Sequence, residues 1–124
     1  MARTRTNLDG SLPHTATKVH GLDGADTLKG NELNNRICGG DAEDTLYGYA
    51  GGDYIAGKGA RDVIYAGWGA DWIWDGAGSD VIWGGDGSDV LYSCESNAHQ
   101  VNEIHDVESV YTRESYCRED KPLW

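Results

Sequence analysis

Phenylalanine is absent from this chain of 124 residues, which also has one methionine and two prolines. Hydrophobic residues make up 39% of it, so ordinary side-chain packing would give a thin core for one domain of this length. Domains with small cores usually depend on a metal ion, disulfides or oligomerisation. The small number of hydrophobic residues therefore predicts that something besides apolar packing stabilises the fold.

Basic residues are scarce. Ten Lys and Arg against 21 Asp and Glu give a formal net charge of −11. Binding to nucleic acid requires a basic surface that faces the phosphates, so nucleic acid is excluded as a partner. The excess of carboxylates suits a cation instead.

Long apolar runs are also missing. No stretch of about 20 apolar residues is present, so no transmembrane segment is predicted. Residues 1–20 lack the apolar core of a signal peptide. We therefore expect either a mature chain or export by a route that needs no such peptide.

Cysteine occurs three times. Cys94 and Cys117 flank the C-terminal segment and could pair, which would leave Cys38 over. Spacing alone does not decide the pairing, although an extracellular setting would favour it.

Glycine and aspartate are abundant, and both recur with a period of nine. Eight nonapeptide units follow one another from Gly21 to Tyr92 without an insertion, each with six turn residues and three strand residues. Position six is acidic in seven units and amidic in one: Asp26, Asn35, Asp44, Asp53, Asp62, Asp71, Asp80 and Asp89. Position eight is always aliphatic: Leu28, Ile37, Leu46, Ile55, Ile64, Ile73, Ile82 and Leu91.

This period predicts an all-β fold, a parallel β-roll (β-solenoid). Two nonapeptides make one coil, so residues 18 apart stack at the strand spacing of about 4.8 Å, with position eight pointing inward. Eight units then give four coils and two small parallel sheets. We divide the chain into a polar N-terminal arm (1–20), the β-roll (21–92) and a C-terminal capping segment (93–124).

The capping segment leaves two structures open. Val101, Ile104, Val107 and Val110 are spaced by three, as in a helix, but Asp106–Tyr111 also fits a strand. Either would cover the open end of the stack, which would otherwise template aggregation.

The position-six residues predict calcium sites. They form two columns: column one holds Asp26, Asp44, Asp62 and Asp80, and column two holds Asn35, Asp53, Asp71 and Asp89. Carboxylates stacked at about 5 Å repel one another by a few kcal/mol. A hard dication between them removes the repulsion and takes six to eight oxygens from carboxylates and carbonyls. Three gaps per column predict up to about six Ca²⁺ ions.

Turn residues complete the predicted ligand set. They are the position-four glycines and the position-three aspartates: Gly24, Gly51, Gly69, Gly78, Gly87, Asp23, Asp41 and Asp86. The second unit lacks two turn glycines and has Asn35 at position six, so the gap between Asn35 and Asp53 should be weak or vacant. Asp and Gly by themselves mark metal-free turns, but eight in register favour calcium.

Outward strand positions seven and nine hold seven of the 12 aromatic residues. The set Tyr54, Trp72, Trp74 and Tyr92, here named the aromatic platform, suits carbohydrate or another small ligand. The alternative is packing: the terminal segments, another protein or a second copy in a homodimer would cover these rings, and cross-strand pairs favour them in any case.

An enzyme is less favoured than a binding domain. His14, His20, His99, His105, Cys94 and Cys117 match no compact zinc template, and no nucleophile-elbow, zincin or P-loop motif occurs. A small calcium-dependent enzyme with a site near the cap remains the alternative.

The repeat resembles a known family. Gly84–Asp89 followed by Val90–Tyr92 fits the pattern Gly-Gly-x-Gly-x-Asp-x-U-x of the repeats-in-toxin (RTX) family, and Val107–Val110 is similar to the strand that often follows such repeats. The resemblance implies a parallel β-roll, folding driven by Ca²⁺ and a secreted protein. The predicted function is therefore that of an extracellular calcium-binding domain. A role as a recognition module is compatible with this function.

Overall fold

A computed structural model describes residues 9–11, 18–21, 24–94 and 102–113. Within these ranges the chain forms twelve short strands and no helix. Of the residues described, none belongs to a helix long and apolar enough to cross a bilayer.

The strands alternate between two sheets of six strands each. The first sheet contains, in spatial order, β1 (Asp9–Ser11), β3 (Thr27–Lys29), β5 (Thr45–Tyr47), β7 (Val63–Tyr65), β9 (Val81–Trp83) and β11 (Glu103–His105). The second contains β2 (Lys18–His20), β4 (Arg36–Gly40), β6 (Tyr54–Lys58), β8 (Trp72–Trp74), β10 (Val90–Cys94) and β12 (Ser109–Arg113). All neighbouring strands are parallel, which confirms the predicted β-roll.

The register of the repeat is the predicted one. Thr45 pairs with Thr27 on one side and with Val63 on the other, at 18 residues each way. The eight position-eight side chains are fully buried, at 0% exposure, and together with Ala66 they form the hydrophobic core. One aliphatic side chain per strand is enough because the coil is narrow and every strand contributes to the same column.

The roll is longer than the repeat. Before Gly21, β1 and β2 keep the 18-residue offset, since Asp9 pairs with Thr27 and Lys18 with Arg36. With β11 and β12 at the other end, each sheet has six strands where the repeat alone predicted four, and the stack is about 24 Å high. The polar composition of residues 1–20 concealed this extension, although Val19 packs against the core.

The C-terminal extension is a pair of strands, so the helical interpretation of this segment is wrong. Glu103 of β11 pairs with Val81, and Ser109 of β12 pairs with Val90. Ile104 and Val107 pack against the core, whereas Val110 is 44% exposed. Val101 lies outside the described residues. The spacing of three between Ile104 and Val107 arose because β11 and the turn after it each supply one residue that packs against the core.

The turns depend on left-handed backbone at positions two and four. The clearest unit has φ of +93° at Gly85 and +114° at Gly87. Ala42 and Ala60 replace glycine at position four and adopt φ of 72° and 71°, close to the left-handed region that an L-residue tolerates.

Candidate metal centre

The position-six residues are buried in the two predicted columns, none of them more than 2% exposed. Each lies in the last turn position before a strand, so its side chain is directed into the coil beside the aliphatic core. Burying seven carboxylates is costly unless each one is paired or binds a metal ion.

A hydrogen-bond ladder fixes one oxygen of each carboxylate. In column one the backbone N–H of Asp26 donates to Oδ1 of Asp44 at 2.8 Å, Asp44 donates to Asp62 at 2.9 Å, and Asp62 donates to Asp80 at 2.8 Å. Column two repeats the pattern from Asn35 to Asp53, Asp71 and Asp89, with distances of 2.7, 2.8 and 3.0 Å. Every coil thus orients the carboxylate of the next.

Two residues beyond the repeat continue this ladder. The N–H of Asp80 donates to Asn102 Oδ1 at 2.9 Å, and the N–H of Asp89 donates to Glu108 Oε1 at 2.8 Å. The sequence analysis did not identify either acceptor, because insertions shift them out of the period of nine. A local feature could have identified them, because each lies one residue before a strand, as the position-six residues do.

The second oxygen of each carboxylate is buried without a hydrogen bond. This holds for Oδ2 of Asp44, Asp53, Asp62, Asp71, Asp80 and Asp89. The position-one glycine of the same unit lies against this atom, since a Cβ at Gly57 would be 2.5 Å from Asp62 Oδ2. In units six and seven Ala66 and Asp75 hold that position. A buried carboxylate oxygen with no donor is a fitting ligand for a hard cation.

Burial raises the pKa of every carboxyl in the columns for which a shift is resolved. The pKa of Asp62 reaches about 9 and that of Asp53 and Asp80 about 8, while Asp71 reaches about 7. Asp44 and Asp89 reach about 6. Hydrogen bonds from the ladder oppose the increase, and neighbouring carboxylates add to it. Without a cation, burial therefore favours protonated carboxyls at neutral pH for Asp53, Asp62 and Asp80.

Backbone oxygens must supply most of any ion's coordination. Within the described ranges no three His, Cys, Asp or Glu side chains converge on one point. A Ca²⁺ ion requires six to eight oxygens, so the Oδ2 atoms would share it with turn carbonyls. The predicted position-four glycines support such an arrangement, with φ between 90° at Gly24 and 114° at Gly87.

The second unit closes its turn without a metal. The Asn31 N–H donates to Asn35 Oδ1 and the Asn35 amide donates to Asn31 Oδ1, both at 2.9 Å. The Leu33 N–H also donates to Asn31 Oδ1 at 2.9 Å. Asn35 therefore uses its side chain locally, which favours the prediction that the gap to Asp53 is weak.

The position-three aspartates differ from the columns. Asp41 and Asp86 are exposed, and Asp23 lies outside the described residues. Their assignment as calcium ligands stays a prediction.

Asp75 holds position one of unit seven, where most units have glycine, and it organises a buried network. It is 0% exposed and accepts from the Ser93 hydroxyl at 2.7 Å, the Cys94 N–H at 2.8 Å and the Asn102 amide at 2.6 Å. Burial raises the pKa of Asp75 to about 7. The network joins the roll to the C-terminal strands and places Asn102 for its bond to Asp80.

The rings of the aromatic platform stack on one another. Tyr54 and Trp72 lie 5.0 Å apart between ring centres, and Trp74 and Tyr92 lie 4.9 Å apart, with interplanar angles of 12° and 18°. Tyr111 continues the second stack at 5.7 Å. Ring faces that a ligand would need are thus largely in contact with other rings, and carbohydrate binding at the platform stays a prediction.

The remaining candidates are separate from the columns. Cys94 is in a disulfide, while Cys38 keeps its thiol and is buried. Cys117, the predicted partner of Cys94, lies outside the described residues, as do His14 and His99. His105 stacks on Trp83 at 4.8 Å and contacts Glu103 at 3.0 Å.

A parallel β-roll with two buried columns of carboxylates is the class of protein that the fold and the site define. The family model for the RTX calcium-binding nonapeptide repeat matches in four copies, over residues 20–55, 29–64, 47–74 and 65–93. These matches span more than half of the chain, so the chain belongs to this family and is a calcium-binding β-roll domain. Searches of curated proteins and of solved structures gave no match.

Proposed function

We propose that this domain is an extracellular module whose folding is driven by Ca²⁺. The observation that carries the proposal is the set of buried Oδ2 atoms without a hydrogen bond in both columns. Calcium supplies the positive charge that these oxygens lack.

The energetics favour coupling between the ion and the fold. In the unfolded chain the carboxylates are solvated and far apart, whereas in the roll they are buried and stacked. A ligand that binds the folded state alone stabilises it by mass action, and metal binding free energy then becomes folding free energy. Extracellular calcium modules work at about 10⁻⁴–10⁻³ M, so the chain would fold outside the cell and remain unfolded at cytosolic calcium.

The gaps in the columns bear on the number of ions. Three gaps per column allow up to about six ions, and the gap beside Asn35 would be the weakest. The best sites would lie between Asp53 and Asp71, between Asp71 and Asp89, and between Asp62 and Asp80, where both position-six residues are carboxylates.

Far-UV circular dichroism tests the proposal. In a chelator such as EGTA the spectrum should be that of a disordered chain, and addition of about 1 mM CaCl₂ should produce the β-roll spectrum. Mg²⁺ at the same concentration is the control, since it demands octahedral geometry and dehydrates reluctantly. A β-rich spectrum in chelator that calcium leaves unchanged would show that the ion does not drive folding.

The setting outside the cell is supported by the disulfide at Cys94, because disulfides persist in oxidising compartments. The carboxylate columns agree with it, since they suit the calcium levels found there.

A further inference from the structure

A cleft of about 320 Å³ opens beside the first sheet and is separate from the carboxylate columns. It is lined by aromatic residues, two glycines and one acid: Tyr47, Tyr49, Tyr65, Gly67, Trp68, Gly85 and Asp86. Its volume falls at the lower end of the range for small-molecule sites.

The repeat period builds this cleft. Tyr47 and Tyr65 hold position nine of successive coils and stack at 4.9 Å. Position two of the following turns is Tyr49, then Gly67, then Gly85. Because the two glycines have no side chains, the space between the stacked tyrosines and the turn residues Trp68 and Asp86 stays open.

Tyr49 lines this cleft from a left-handed backbone position. Its φ is 68°, while Gly40, Gly67 and Gly85 hold the same turn position in other units. A bulky residue in the left-handed region is an outlier, and such strain concentrates at functional sites. One face of its ring stacks on Tyr47 at 6.0 Å between ring centres, and the residue is still 40% exposed.

Trp68 is the most exposed large hydrophobic side chain among the described residues, at 61%. It takes part in none of the ring stacks given above, so its indole face is available to a ligand. An exposed Trp beside a concave surface is typical of a recognition site.

The orientation of the rings decides the ligand class. Tyr47 and Tyr65 are nearly parallel, with an interplanar angle of 8°, and their faces are in contact with each other. Tyr65 also stacks on Trp83, and Tyr47 also stacks on Tyr49. These two rings therefore offer little free face to an organic cation, which binds over a ring face. A neutral sugar suits the cleft: its apolar C–H face stacks on Trp68 and its hydroxyls donate to Asp86.

We propose that this cleft binds one ring of a neutral saccharide, with Trp68 and Tyr49 as contact surfaces and Asp86 as hydrogen-bond acceptor. The site differs from the aromatic platform in sheet and in residues. It requires the folded roll, whatever drives the folding.

Binding is tested on the calcium-loaded protein after circular dichroism has shown that it is folded. The probes are pentasaccharides derived from cellulose, starch, mannan and chitin, with tetramethylammonium chloride as the cationic probe, followed by saturation-transfer NMR and Trp fluorescence. We expect at least one pentasaccharide to bind saturably, and Trp68→Ala to weaken that binding by about tenfold or more.

Tyr49→Gly separates a binding role from a structural one. It relieves the left-handed strain, so thermal stability should be maintained or increased while saccharide affinity falls. Lys58→Gly is the matched control, because Lys58 holds position two in the next unit with φ of 79° and does not line the cleft. It should affect stability similarly and leave affinity unchanged. The proposal is overturned if no pentasaccharide binds, if only tetramethylammonium binds, or if Trp68→Ala and Tyr49→Gly bind like the parent.

Discussion

The turn glycines of this roll are not equivalent, and the backbone angle separates them. Ala42 and Ala60 replace glycine at position four with φ near 72°. Gly87 holds the same position at 114°, well beyond the left-handed region of L-residues. Alanine at position four of two units therefore does not mean that the last coils would accept it, because the backbone angle at Gly87 requires glycine.

Gly87→Ala should destabilise the calcium-loaded roll by about 1–3 kcal/mol, because of its backbone angle. In addition, the new Cβ would meet the Gly69 carbonyl oxygen at 2.1 Å. Chemical denaturation in saturating calcium measures the change in the free energy of unfolding.

Gly59→Ala is the control for the same chemical change. A Cβ there meets nothing within 4 Å and its backbone is not left-handed, so stability should stay within about 0.5 kcal/mol of the parent. Equal losses for Gly87→Ala and Gly59→Ala would contradict the account of the turns.

Prediction from sequence succeeded at residues whose partners lie one period away. Position eight was placed in the core and position six in the columns because stacking at 18 residues is built into the repeat. Asn102 and Glu108 escaped prediction, since their partners lie 22 and 19 residues away. An insertion between two partners changes their separation, so the period of the repeat does not predict their contact. Asp75 escaped although Ser93 lies 18 residues away, because position one is glycine in most units and belongs to neither column. The assignment of individual calcium ligands remains a prediction.

Among the elements of the roll, the second unit stands apart. Its turn has no left-handed residue at Asn31 or Leu33 and is closed by hydrogen bonds within the unit. The side-chain oxygens of Asn31 and Asn35 are thus satisfied within the unit, whereas Asp44 Oδ2 in the next unit has no hydrogen bond.

Restoring the consensus in this unit should add one calcium ion. The triple variant Asn31→Gly, Leu33→Gly, Asn35→Asp supplies the flexible turn and the missing carboxylate. Equilibrium dialysis with ⁴⁵Ca²⁺ measures the number of ions bound per chain.

The matched control for the triple variant carries Asn34→Asp in place of Asn35→Asp. Asn34 is exposed and accepts a hydrogen bond from the Gly52 N–H at 2.8 Å, so the charge change is the same but lies outside the column. An extra ion in both variants, or in neither, would show that Asn35 does not set the weak gap.

The strand that precedes the repeat could not be predicted from the sequence pattern. Lys18–His20 was assigned to a polar arm because it lacks Gly and Asp, yet it pairs in register through its backbone and places Val19 against the core. Parallel pairing needs only a free strand edge and one inward apolar residue, and neither produces a strong pattern in sequence.

For the molecule as a whole, the columns link stability to pH. The pKa of Asp62 rises from 3.8 to about 9 and that of Asp53 to about 8 on folding. Between pH of about 4 and 9 the calcium-free folded state thus binds more protons than the unfolded state, and its stability falls as pH rises.

The calcium-free chain should therefore gain β-structure as pH is lowered from about 9 towards 4, opposite to common acid denaturation. Circular dichroism in a chelator that remains effective, or in calcium-depleted buffer, follows this change. The calcium-loaded protein should respond in the other sense, because protons compete with the ion for the same oxygens. Loss of structure on acidification in calcium-free buffer would refute the linkage.

The hydrogen-bond ladder also sets the order in which the coils can be completed. Each donor belongs to an earlier coil and each acceptor to a later one, as between Asp26, Asp44 and Asp62. When the chain emerges from its N-terminus, the backbone N–H groups of the most recent coil lack acceptors until the next coil has emerged. The N–H groups of Asp80 and Asp89, in the last coil of the repeat, find their acceptors only when Asn102 and Glu108 have emerged. The end of the repeat is therefore completed by residues that lie outside it.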